Sequence, residues 1–145
     1  MQSNITKFCN ALDNLDPEKS DGLIADLYDL VDLLEGENEI TSIYESVFRF
    51  LEKYPEADIG NPGPLVHLLE CHYPSYVPVL IVSVEQSPTY NTVIMLHRIM
   101  NSKLSREDRS RYLALLKAAA DNDTADEITK ENAQELYEFQ IEKNS

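Results

Sequence analysis

The stretch Tyr76-Val77-Pro78-Val79-Leu80-Ile81-Val82-Ser83-Val84-Glu85 decides the fold class of this chain. Its valines and isoleucine favour a strand on propensity alone. It would, however, be the only strand in the chain, and its backbone N–H and C=O groups would find no pairing partner. The segment therefore reads as a buried helix, and the class as all-α.

Outward from this segment the apolar spacing is helical in both directions. Toward the C-terminus, Ser87-Pro88 or Thr89 opens a helix with Val93, Leu96, His97 and Met100 on one face. Ser105 followed by Asp108 resembles a capping box and opens the next, whose Tyr112, Leu113, Leu115 and Leu116 face inward. A polar linker from Asp121 to Glu127 precedes the last helix, which Thr129 can cap and in which Ala133, Leu136, Tyr137 and Gln140 share one side. Toward the N-terminus, Asn61-Pro62-Gly63-Pro64 makes a rigid turn into Leu65, Val66, Leu68 and Leu69, and Pro74 closes that short helix. Before it, Ile40, Ile43, Tyr44, Val47, Phe48, Leu51 and Tyr54 form an amphipathic stripe that Asn38 can cap and Pro55 ends. Asp16-Pro17 opens a helix carrying Leu23, Leu27, Leu30 and Leu34, stopped by Gly36. The first helix runs from about Ile5 to Asn14, capped by Asn4 or Ser3. Short connections and the lack of a strict repeat predict one helical domain over residues 1–145. Its architecture would be an irregular, HEAT-like stack of about eight antiparallel helices.

Composition excludes several functions. No 18-residue apolar run exists to span a bilayer, and Met1 to Lys7 lacks the basic start and apolar run of a secretory signal, so a cytoplasmic address is expected. The net charge of −14 repels phosphate backbones and anionic lipid surfaces, so neither nucleic acid nor membrane is expected as a partner. The charge is uneven: −9 over residues 1–45, +1 over 46–120 and −6 over 121–145. An acidic run is often only a solvated face. Two acidic ends around a neutral centre point instead toward a basic protein partner.

Catalytic patterns are weak. His67, Glu70, Cys71 and His72, with His97 as a possible fifth member, are all zinc-ligand types. Cys71 and His72 are adjacent, however, and diverge by about 100° on a helix, and no HExxH or paired CxxC supports a site. Structural histidines are the expectation, with no metal. Cys9 and Cys71 read as small buried hydrophobes. No GxSxG elbow is present, and the prolines of Gly60-Asn61-Pro62-Gly63-Pro64 remove the N–H donors that would cradle phosphate. The chain is expected to be no enzyme and to need no cofactor.

Candidate partner-binding residues lie on two helices. On the second, Asp26, Asp29 and Asp32 oppose the leucine sector, and Glu35 follows. Leu33 falls between Asp26 and Asp29, either buried against a neighbouring helix or serving as the apolar anchor of a charged interface. On the last helix Glu131, Glu135, Glu138 and Glu142 line one sector, a like-charge spacing that destabilises an isolated helix.

The run Gly60-Asn61-Pro62-Gly63-Pro64-Leu65-Val66-His67-Leu68-Leu69-Glu70, followed by Ser87-Pro88-Thr89 and Met95-Leu96-His97-Arg98-Ile99-Met100-Asn101, resembles a family of small bacterial immunity proteins. These are helical, HEAT-like antidotes to polymorphic and contact-dependent growth-inhibition toxins. Ile94 and His97 stand in place of a tryptophan and an asparagine of that pattern. The resemblance implies a cytoplasmic toxin inhibitor that neutralises one cognate toxin domain, commonly a nuclease, by stoichiometric binding. It implies fold-keeping roles near Pro62, Arg98 and Asn101 and no catalytic residue. The alternative is a helical-repeat adaptor or regulatory protein with a host protein partner.

Overall fold

The computed structural model describes residues 3–143, and among these the chain is all-α. Its helices are α1 (Asn4–Asp13), α2 (Leu23–Asp32), α3 (Tyr44–Lys53), α4 (Pro64–Glu70), α5 (Val77–Gln86), α6 (Tyr90–Met100), α7 (Arg106–Ala120) and α8 (Glu127–Lys143). Short 3-10 turns occupy Pro17–Lys19 and Thr41–Ile43, and no strand occurs among the described residues. The valine-rich segment is helical because burial of Leu80, Ile81 and Val84 outweighs the small β preference of its residues. The chain divides into two compact units, Met1–Val79 and Leu80–Ser145.

In the first unit Ser3 Oγ accepts the Thr6 N–H at 3.1 Å and starts α1, whose Phe8 and Leu12 are buried. Asp16-Pro17 does not open the long helix expected of it. Asp16 caps only the 3-10 turn, and α2 begins afresh after Gly22. Asn38 likewise does not cap the third helix. Glu39 accepts both the N–H and the hydroxyl of Thr41 at the preceding turn, and these two bonds, the hydroxyl first, hold its carboxyl below the ordinary range. The α3 stripe is the core of this unit, with Tyr44, Val47, Phe48, Phe50 and Leu51 buried. Arg49 ties α3 to α1, its Nη2 lying 3.0 Å from both carboxylate oxygens of Asp13. Helix α1 packs on α3 and α2, and α2 packs on α4.

Gly60 and Gly63 both adopt positive φ in the turn before α4. A Cβ on Gly63 would lie 1.8 Å from the Ile59 carbonyl oxygen, so only glycine allows this approach. Cys71 is exposed just past α4, correcting the expectation of burial, while Cys9 is half-buried.

In the second unit Thr89 caps α6 and forms a reciprocal box with Thr92, and Ser105 Oγ accepts the Asp108 N–H at 3.1 Å to start α7. Thr129 is not the cap of α8. Asp126 Oδ1 accepts the Thr129 N–H at 2.7 Å, so the helix starts earlier and carries Thr129 inward. Helices α7 and α8 form a hairpin, and both pack on α6. Lys117 of α7 reinforces the hairpin, 3.3 Å from Gln134 Oε1 and 5.7 Å from the centroid of the Tyr137 ring.

Candidate functional site

In the first unit α2 buries Leu27, and Leu34 follows it into the core just past the helix end. At 100° per residue the opposite sector carries Asp29 and Asp32, both exposed. Glu35, in the turn that follows, is exposed as well. None of these three carboxylates has a hydrogen-bond or ion-pair partner among the described residues. Asp26 differs, being half-buried and accepting the Ser20 hydroxyl, which draws the preceding loop onto the helix. Leu33 is half-buried at the helix end.

The apolar member of this face is Tyr28, 51% exposed and one helical turn before Asp32. Sequence reasoning passes over it; on the same wheel it stands about 100–120° from Leu27 and Leu34 and about 40° from Asp32. A large amphipathic ring that stays in water beside unpaired carboxylates has the make-up of an interface anchor.

In the second unit α8 buries Thr129, Ala133 and Gln140 and turns Glu131, Glu135, Glu138 and Glu142 outward. With Glu127 these carboxylates fall within an arc of about 80°. Glu138 accepts the Gln134 amide at 2.9 Å, whereas Glu131 and Glu135 have no partner among the described residues. Apolar side chains border the stripe. Ile128 is 63% and Phe139 51% exposed along one edge, and Ile141 lies exposed on the other side of the helix. A groove of about 530 Å³ between α7 and α8 includes Leu113, Tyr137 and Ile141 in its lining. A shallower one of about 380 Å³ is lined by Ala120, Lys130, Glu131, Gln134 and Glu135.

Both faces combine stripped carboxylates with accessible apolar surface. Chemically such a surface attracts cations and gains from desolvation on contact, which suits a basic protein surface with apolar patches of its own. The histidines form no such face. His67 is exposed on α4 and His72 is half-buried, while His97 is engaged within the second unit by Gln140 of α8 at 2.9 Å. Among the described residues no three of His, Cys, Asp or Glu gather as metal ligands would, and no helix is long and apolar enough to cross a membrane. Comparison with protein families, with curated proteins and with solved structures finds no match to this chain.

Proposed function

We propose that this chain is a stoichiometric protein inhibitor of the immunity type, which neutralises a basic toxin domain by laying acidic faces over its substrate cleft. The toxin domain is a nuclease in this proposal. A nuclease gathers cations to hold phosphate, so a surface of fixed carboxylates competes for the same groups without any chemistry of its own. The observation that supports this most directly is the stripe on α8. Glu131 and Glu135 sit one turn apart with no neutralising partner among the described residues, beside exposed Ile128 and Phe139. Like charges at that spacing cost helix stability, and accessible isoleucine and phenylalanine cost hydration. A bound basic partner offsets both.

Binding of this kind places the inhibitor in the compartment where the toxin acts, the cytoplasm. The resemblance of the Gly60-to-Glu70 and Met95-to-Asn101 segments to immunity proteins supports the same assignment. The test is co-expression with the toxin gene expected beside the coding sequence. Survival of the cells and a one-to-one complex are the expected results. Continued killing by a soluble, folded protein rejects the proposal and leaves the adaptor role in its place.

A further inference from the structure

We propose that His97 of α6 and Gln140 of α8 form an acid-released latch that holds the C-terminal half of α8 in place. Gln140 is fully buried, and its amide is committed on both sides. Arg109 of α7 donates Nη1–H to Gln140 Oε1 at 3.2 Å, which fixes that atom as the acceptor. Gln140 Nε2 therefore carries the donors, and it lies 2.9 Å from His97 Nε2 and 3.2 Å from Asn101 Oδ1. His97 Nε2 must accept, so the ring is neutral with its proton on Nδ1.

Protonation leaves this arrangement without a solution. A proton on His97 Nε2 would face the Gln140 N–H donors. Turning the amide over would satisfy the imidazolium but set the NH2 group against Arg109, which can only donate. Gln140 itself presents no surface to water that could stand in for a lost partner. The charged groups that meet the cluster add to the penalty. They are Arg109 from α7 and Lys143 from α8, whose Nζ lies 3.5 Å from Asn101 Oδ1, while Arg98, next along α6, is exposed. Phe139 of α8 covers His97 edge-on at 5.6 Å between ring centroids. Burial first, and the Lys143 charge second, push the His97 pKa below its ordinary value.

The sign follows from linkage. With a folded pKa below the unfolded one, the latch contributes its full stability above the ordinary histidine value and loses it as pH falls through the lowered value. Glu138 and Glu142 ride on the segment that is released. The latch itself does not depend on the identity of a partner; only its consequence for partner binding rests on the inhibitor proposal.

The test follows the His97 ring of the full chain by NMR as pH is lowered, with thermal unfolding in parallel for the native protein and Gln140→Glu. The native ring is expected to carry its proton on Nδ1 at neutral pH and to titrate below about 6.5. In Gln140→Glu the carboxylate accepts from both the imidazolium and Arg109, so the midpoint rises above that value. Relative to this variant, the native Tm should fall in acid by on the order of 5 °C. A native ring protonated on Nε2 at neutral pH, or titrating at or above the ordinary value, overturns the latch even if the variant fails to fold. So does an equal acid dependence of Tm in the two proteins.

Discussion

Thr129 is fully buried, and its hydroxyl oxygen has no partner among the described residues, because Asp126 takes the capping role and turns the threonine into the α7–α8 hairpin. Removing a buried, unbonded hydroxyl while keeping the β-branched shape relieves its desolvation cost. Thr129→Val should therefore stabilise the protein by about 1 kcal/mol in urea unfolding; a comparable loss would mean that the hydroxyl is bonded after all. The glycines offer a paired measurement that separates backbone strain from collision. Gly36 and Gly63 have nearly the same φ, 84° and 86°, yet a Cβ on Gly36 meets nothing within 4 Å and one on Gly63 collides with the Ile59 carbonyl. Gly36→Ala should cost only left-handed strain, about 1–2 kcal/mol. Gly63→Ala should cost at least about 2 kcal/mol more, since the backbone itself must move. Equal costs would show that the turn before α4 yields easily.

The stripe on α8 is an element-scale conflict between like charge and helix stability. Glu127, Glu131, Glu135 and Glu138 form successive like-charged pairs at spacings of four, four and three, and among the described residues only Glu127 of these has an ion-pair partner, Lys130 at 3.6 Å. Glu131→Gln with Glu135→Gln should raise stability by about a few tenths of a kcal/mol for each pair relieved, with the gain shrinking as salt is added. If the stripe binds a basic partner, affinity should fall in the same variant. A variant that gains stability and keeps its affinity would place the interface elsewhere. How far such elements are legible in sequence depends on the range of the forces that set them. Helix starts at Ser3, Thr89 and Ser105 follow from contacts three residues long, and the valine-rich α5 follows from the lack of any strand to pair with. The break between Pro17–Lys19 and α2 is not legible, because cap-then-proline residues also open a single 3-10 turn. The exposed carboxylates of both candidate faces are legible from spacing, whereas the turn of Asp26 toward Ser20 is not. Tyr28 and Phe139 are not, since an aromatic residue in a helical pattern counts as core until its surroundings are known. The His97–Gln140 contact joins residues 43 apart, and no local pattern announces it.

At the scale of the whole molecule the charge has two different characters. The unit Met1–Val79 carries fifteen acids against four bases, whereas Leu80–Ser145 carries eleven against eight. In the second unit the three arginines and one lysine of α7, with Lys130 and Lys143 of α8, offset much of the acidic charge, so beyond the Debye length of about 8 Å at physiological salt little of the α8 stripe is felt and it acts mainly on contact. The first unit has no such cancellation and supplies most of the long-range field. If the partner is the basic toxin domain proposed above, association should therefore respond to the first unit in its rate of encounter and to the second in its lifetime. Asp29→Lys with Asp32→Lys and Glu35→Lys should slow association by roughly tenfold at low salt, and the difference from the native protein should close near 1 M sodium chloride. Ile128→Ala with Phe139→Ala should leave association nearly unchanged and speed dissociation, because apolar contacts form only after encounter. Stopped-flow mixing over a salt series resolves the two effects. An association rate indifferent to salt would mean that the net charge of −14 serves solubility and does not guide a partner to the surface.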